Sequence, residues 1–206
     1  MAHVHVPAER FERWVQNFQG RHGVTALAVV DGALTGAASD GSTFAAHLPF
    51  GTSYAGLPDV GAFAHDVEPP ATWGVLLVRK GGFAVARLEG GRTVESKVGQ
   101  RHVQGRTKAG GQSQQRFARR RANQARQAYE AAAEHAVRIL GGVTPVAVGG
   151  DHTAVDEVLA DPRLGHVQRL EPWLTVPDPR RGVLEDAVAL AQSIRVEVHN
   201  ADTPPA

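Results

Sequence analysis

The chain contains no cysteine and no long apolar run. The absence of cysteine excludes disulfides, thiolate nucleophiles and cysteine-ligated zinc or iron–sulfur sites. The opening residues, MAHVHVPAERFERW, lack the apolar region of a signal peptide, and no later segment approaches the ~20 apolar residues that span a bilayer. We therefore expect a cytoplasmic protein that contacts no membrane and needs no metal or other cofactor.

Acidic residues are absent from one long segment, between Glu95 and Glu130. The whole chain has a formal net charge of only +1, so positive charge is concentrated in this segment. A basic stretch without acidic partners favours binding to phosphate groups, and the alternative is a solvated charged helix face. The basic residues of the segment are Lys97, Arg101, Arg106, Lys108, Arg116, Arg119, Arg120, Arg121 and Arg126.

The same segment contains the tripeptide Gly110-Gly111-Gln112, directly before an alanine-rich helix predicted over residues 113–140. Paired glycines allow a backbone to approach a ligand closely, and free N–H groups at a helix N-terminus favour negative charge. A glutamine amide there can orient a water or an oxyanion without titrating. The alternative is a flexible surface turn. Three arginines lie opposite the alanine stripe at 100° per residue: Arg116, Arg119 and Arg120.

The remaining elements predict an α/β or α+β fold, in which a mixed β-sheet with an antiparallel meander is covered by helices. Glycine turns separate the three meander strands, WGVLLVRK, FAVARLEG and RTVESKVG. We predict a helix over 8–20, a hairpin with its turn at Asp31-Gly32, and an extended segment in STFAAHLPF. Further predictions are a loop or linker over 51–72, a strand over 145–150 followed by a helix to Leu159, an extended segment over 166–176, and a helix over 183–198.

Two further groups of residues bear on whether the protein binds a metal ion. His3 and His5 have the spacing of a metal-binding pair, but we expect a disordered terminus there and assign no metal. A carboxylate cluster would support two-metal chemistry, whereas Asp151, Asp156 and Asp161 have the pattern of helix caps and turns.

The segment GRTKAGGQSQQRFARRR, with the helix that continues through HAVRIL, closely resembles the middle domain of eukaryotic and archaeal class-1 peptide release factors. The similarity extends in order over residues 73–199 and implies an RNase H-like core with a long helix after the Gly-Gly-Gln loop. The codon-reading domain and the domain that docks a GTPase have no counterpart. The chain thus resembles the stand-alone peptidyl-tRNA hydrolases of ribosome quality control, in their actinobacterial branch.

This resemblance implies one release-factor-like domain over residues 1–200, with an N-terminal extension (1–72), a core (73–200) and a tail (201–206). It implies that Gln112 places the hydrolytic water and that Gly110 and Gly111 let the loop reach the tRNA 3′ end. By position, it implies that these residues contact RNA: Arg101, Arg106, Lys108, Arg116, Arg119 and Arg120.

The implied activity is codon-independent hydrolysis of the peptidyl-tRNA ester, which releases nascent chains from stalled large ribosomal subunits. The implied partners are the large subunit, its ribosomal RNA and peptidyl-tRNA, and we expect a monomer. Two alternatives remain open at this stage. One is a nuclease that acts on the tRNA 3′ end, and the other is a non-enzymatic module that binds the ribosome or RNA.

Overall fold

The computed structural model describes the backbone of residues 2–100 and 112–201, and the side chains of residues 3–99 and 126–201. The strands in these ranges are β1 (Ala2–Val6), β2 (Thr25–Val30), β3 (Ala33–Ala38), β4 (Thr43–His47), β5 (Thr72–Arg79), β6 (Gly82–Glu89), β7 (Arg92–Gln100), β8 (Pro145–Gly150), β9 (Gln168–Leu174) and β10 (Ile194–His199). The α-helices are α1 (Ala8–His22), α2 (Val60–His65), α3 (Gln112–Leu140), α4 (His152–Leu159) and α5 (Arg181–Ala191).

The chain divides into two compact units. Unit 1 comprises Met1–Pro69 with Ala189–Ala206, and unit 2 comprises Pro70–Val188. The predicted α+β class is confirmed, because each unit contains a five-stranded sheet and helical segments.

Unit 1 is an antiparallel sheet in the order β1-β10-β4-β3-β2. In its core, apolar residues of the strands pack against one face of α1, on which aromatic residues recur at helical spacing. Phe11 and Phe63 are both fully buried, and their ring centroids lie 5.3 Å apart. The predicted hairpin between β2 and β3 is confirmed. Asp31 and Gly32 both have positive φ (47° and 77°), as a two-residue type I′ turn requires.

The prediction of one helix over 183–198 is wrong in its second half. Helix α5 ends at Ala191, and β10 follows as a strand between β1 and β4. Ile194 and Val196 are fully buried, whereas Arg195 and Glu197, which alternate with them, are partly exposed. This period of two, with β-branched residues on the buried face, fits a strand and not a helix.

The predicted linker over 51–72 contains a short helix, α2, and is corrected accordingly. Asp59 is the N-cap residue of this helix, and its Oδ1 accepts a hydrogen bond of 2.8 Å from the backbone N–H of Ala62. Phe63 of this helix reaches the core, where its ring packs edge-on against Tyr54 at 4.8 Å. The helix is stabilised by this burial rather than by its length of six residues.

Unit 2 contains a mixed sheet in the order β7-β6-β5-β8-β9. The predicted meander is confirmed, with β5–β6 and β6–β7 antiparallel, while β5–β8 and β8–β9 are parallel. Six consecutive residues of the central strand, from Trp73 to Val78, are buried, as expected of a strand that is covered on both faces. Helices α3 and α4 pack on this sheet.

Helix α3 is close to its prediction. It begins at Gln112, one residue before the predicted start, and ends at Leu140 before Gly141-Gly142. In the half of α3 whose side chains are described, Ala136 follows buried Ala132 by four residues, and buried Ile139 and Leu140 follow Ala136 by three and four. Small side chains on this stripe let the helix lie close to the sheet.

Candidate functional site

The predicted catalytic and RNA-binding residues surround the start of α3. Five of them lie in 101–111, outside the described residues: Arg101, Arg106, Lys108, Gly110 and Gly111. Four more lie on the described backbone of α3, although their side chains are outside the described set: Gln112, Arg116, Arg119 and Arg120. Gln112 is thus the first residue of a 29-residue helix, which at 1.5 Å per residue is ~43 Å long.

The strand that enters the 101–111 segment is closely packed at its end. Gly99 of β7 lies opposite Phe83 of β6, and a Cβ atom at position 99 would lie only 2.3 Å from Phe83 Cε1. The Phe83 ring also stacks on His135 of α3, with centroids 5.5 Å apart. One buried ring therefore contacts both the strand that enters the segment and the helix that leaves it.

Ion pairs hold the second half of α3 at two places. Arg138 donates a short hydrogen bond to Glu95 of β7. Glu134 Oε1 accepts a hydrogen bond of 2.5 Å from Nη2 of Arg163, which lies in the 3-10 turn Pro162–Leu164. Arg163 also donates from Nε (3.0 Å) and Nη2 (2.7 Å) to the two oxygens of Asp161. A guanidinium shared by two carboxylates fixes the geometry more firmly than a single exposed pair.

These carboxylates remain charged at neutral pH. The hydrogen bonds from the Arg163 side chain and backbone lower the pKa of Asp161 to about 2. The side-chain hydrogen bond from Arg163, with its positive charge, also lowers the pKa of Glu134. In the same region, burial raises the pKa of Tyr129 on α3, and the charges of Asp151 and Glu157 add to this effect. The phenol therefore stays protonated and can donate a hydrogen bond.

The predictions for the other carboxylates and histidines are partly right. Asp161 is a turn residue, because its Oδ1 accepts from Arg163 N at 2.9 Å. Asp151 precedes α4, but no side-chain hydrogen bond caps that helix. Asp156 is no cap: it lies inside α4 and pairs with Arg169 at 2.6 Å. The prediction that His3 and His5 are disordered is wrong, because both lie in strand β1, which pairs with β10. The two histidines alternate along this strand with Val4 and Val6.

Among the residues with described side chains, no three histidine or acidic residues form a group that could hold a metal ion. Within the same part of the chain, none of the helices combines the length and apolar character needed to cross a membrane.

The residues that form the two ion pairs of α3 were not predicted from the sequence. Arg163 and Glu134 are 29 positions apart, and Arg138 and Glu95 are 43 apart. Their pairing depends on how α3 lies across the sheet, which no local pattern reports. The packing of β7 against Phe83 did have a signal in the sequence: Gly99 is a glycine inside a strand, which is typical of close approach by another group.

Comparison with known proteins identifies the family to which the chain belongs. Residues 71–197 match the model of a family of release factors. This match covers more than half of the chain, which therefore belongs to the family described as Actinobacteria/chloroflexi VLRF1 release factor. No match was found among curated proteins.

Two solved structures are similar to the chain at low sequence identity. One is a Vms1 mitochondrial localization core, with 11% identity and a TM-score of 0.43, over 90% of this chain and 81% of that chain. The other is the archaeal translation termination factor aRF1, with 12% identity and a TM-score of 0.43, over 92% of this chain. This chain covers 64% of the aRF1 chain.

Proposed function

We propose that this protein hydrolyses the ester bond between a nascent peptide and tRNA on stalled large ribosomal subunits, without reading a codon. The observation that carries the proposal is the position of Gln112. It follows Gly110-Gly111 and is the first residue of the 29-residue helix α3, in a chain that belongs to a release-factor family.

In this proposal, α3 acts as an arm that presents Gln112 to the ester. Gly110 and Gly111 leave the backbone open to the tRNA 3′ end. Gln112 orients a water, so that catalysis comes from positioning and preorganised hydrogen bonds, with groups of the ribosome and tRNA completing the site. The six basic residues proposed to bind RNA phosphates are Arg101, Arg106, Lys108, Arg116, Arg119 and Arg120.

The described half of α3 supports this role. The α3 residues of the two ion pairs and of the ring contact with Phe83 all lie in the last seven residues of the helix: Glu134, His135 and Arg138. A helix held in this way at one end can carry a defined position at the other end. The proposal includes a monomer that acts in the cytoplasm, with residues 1–200 working as one domain.

The test is incubation of the protein with large subunits that carry peptidyl-tRNA, followed by separate detection of released peptide and of cleaved tRNA. Gln112→Ala should lower the release rate by about 10²- to 10³-fold, as loss of one positioned catalytic hydrogen bond does elsewhere. Binding to the subunit should persist. Gln124→Ala is the matched control, since it removes the same amide from the same helix.

The outcomes separate the remaining possibilities. Cleaved tRNA in place of released peptide would identify a nuclease. Binding that produces neither product would identify a ribosome-binding module. Release that is unchanged in Gln112→Ala contradicts the proposed role of this residue.

A further inference from the structure

Helix α1 carries a second basic surface, far along the chain from the arm. Five residues share one stripe of this helix, because at 100° per residue they fall within about 100° of arc. The stripe lies beside the buried aromatic face and away from Glu12, and its members are Arg10, Arg13, Trp14, Asn17 and Arg21.

A groove runs along this stripe within unit 1. Two adjoining depressions, of about 630 and 300 Å³, share Trp14 and Asn17 in their linings. The first also contacts His5 and Val6 of β1, and the second contacts Val198 of β10. The groove therefore lies between α1 and the end of the sheet where β1 pairs with β10. Its arginines span 11 positions, or ~16 Å of helix.

The lining of the groove carries a net positive charge. Arg10, Arg13 and Arg21 are exposed, and none of them forms an ion pair with any residue whose side chain is described. Glu9 is an acidic residue in the lining, at one end of the groove. At the other end, His22 is paired with Asp40 at 2.8 Å. Three guanidinium groups on one stripe repel one another unless an anion binds them.

Trp14 supplies an aromatic surface between these arginines. Its ring stacks on Phe18 (5.8 Å) and meets Phe44 edge-on (5.3 Å), which fixes its orientation. The side chain is only partly buried, and it lines both depressions. Asn17, one turn further along the helix, adds exposed amide donor and acceptor groups.

We propose that this groove binds a single strand of RNA. Guanidinium groups bind the phosphates, while the exposed edge of Trp14 and the amide of Asn17 contact an unpaired base. A basic track with an aromatic ring is how proteins bind single strands with little sequence preference. An acidic peptide would be held by the arginines but would leave the aromatic and amide groups without a matched partner. This site is separate from the arm and does not depend on hydrolysis.

The test measures binding of the full chain to a fluorescein-labelled oligouridylate by anisotropy, at increasing KCl. The groove variant is Arg10→Ala/Arg13→Ala/Arg21→Ala, in which alanine preserves helix propensity. The control variant removes three exposed arginines of unit 2: Arg92→Ala/Arg180→Ala/Arg181→Ala. Both are also made with Arg116→Ala/Arg119→Ala/Arg120→Ala, so that any binding by the arm is reduced in common.

We expect the groove variant to bind about tenfold more weakly at low salt, with a salt dependence that is flatter by ~2, or ~0.7 for each lost phosphate contact. The control variant should match its parent. In the parent protein, RNA should also change tryptophan emission, and Trp14→Phe should abolish this change, because Trp73 is fully buried and Trp173 stacks on His152.

Three results would overturn the proposal. The first is equal affinity and salt dependence in the groove and control variants. The second is an RNA-induced emission change that persists in Trp14→Phe. The third is a groove variant that binds RNA normally but no longer sediments with ribosomal subunits, since the groove would then bind a protein. Loss of release by Gln112→Ala has no bearing on any of these measurements.

Discussion

Arg163 and Glu134 join two distant parts of unit 2, with Arg163 Nη2 lying 2.5 Å from Glu134 Oε1. The same guanidinium donates to Asp161 in its own turn, so that the turn and helix α3 are held by one side chain. All three side chains reach solvent. The network therefore contributes little to overall stability, and its effect lies in fixing the direction of α3.

The first prediction concerns this direction. Arg163→Ala should lower the rate of peptide release about tenfold, because small misplacements of a catalytic group reduce rates sharply. The free energy of unfolding should change little, as for other exposed ion pairs. Release assays and urea unfolding measure the two quantities. The control is Arg181→Ala, which breaks an exposed pair with Glu185, and an equal loss of release in both variants would contradict the prediction.

The second prediction follows from the lowered pKa of Asp161, about 2 in the folded protein against 3.8 for the free group. A carboxylate with a lowered pKa stabilises the fold above its unfolded pKa, and this stabilisation disappears as pH falls through the folded value. The difference in melting temperature between the parent and Asp161→Asn should thus be constant above about pH 5, shrink as pH falls, and be mostly lost at about pH 2. Melting curves across this range test it, and a difference that is as large at about pH 2 as at about pH 5 counts against it.

The third prediction concerns the packing of Gly99 on Phe83. Gly99→Ala should destabilise the protein by ~1–3 kcal/mol, because the new methyl group overlaps the ring and forces it to move. Combined with Phe83→Leu, the substitution should cost less than the sum of the two single changes. Gly20→Ala is a control of opposite sign. That helical position has nothing within 4 Å, and alanine should stabilise it by ~0.5–1 kcal/mol.

The fourth prediction tests the central place of β10 in unit 1. Val196 is fully buried, and Val196→Asp should destabilise unit 1 by at least ~3 kcal/mol, since it buries an unpaired charge. Glu197→Gln, at the neighbouring position on the other face, should change stability by less than ~1 kcal/mol. Urea unfolding followed by tryptophan fluorescence measures both. Similar midpoints for the two variants would show that β10 does not hold the sheet together.

Local signals account for what the sequence predicted correctly. The β2–β3 hairpin and the meander are joined by two-residue turns that contain glycine, at Asp31-Gly32, Lys80-Gly81 and Gly90-Gly91. The first meander turn lies one residue before the predicted Gly81-Gly82. Helix α3 ends before paired glycines, which are typical of a helix C-terminus. In each case the residues that determine the structure lie within a few positions of it.

The errors arose where the determining partner is distant. Strand β10 follows α5 after only two residues, so the sequence was read as one continuous helix, and the strands with which β10 pairs, β1 and β4, lie in the first 47 residues. The anchor formed by Arg163 has the same origin, since Glu134 lies a full helix and strand away. Asp161 was assigned to a turn correctly, but the sequence did not show that the Arg163 side chain it binds also reaches Glu134. The roles of Gln112 and the RNA-binding arginines stay predictions.

The position of β10 determines the order in which the protein can fold as it is synthesised. Residues 70–188 form unit 2 as one uninterrupted stretch, whereas unit 1 needs a strand that is translated after all of them. Strands β1 and β4 do not pair with each other, so both lack this neighbouring strand until residues 194–199 have been synthesised. The groove beside α1 borders β10, so its lining is complete only after residues 194–199 have been added.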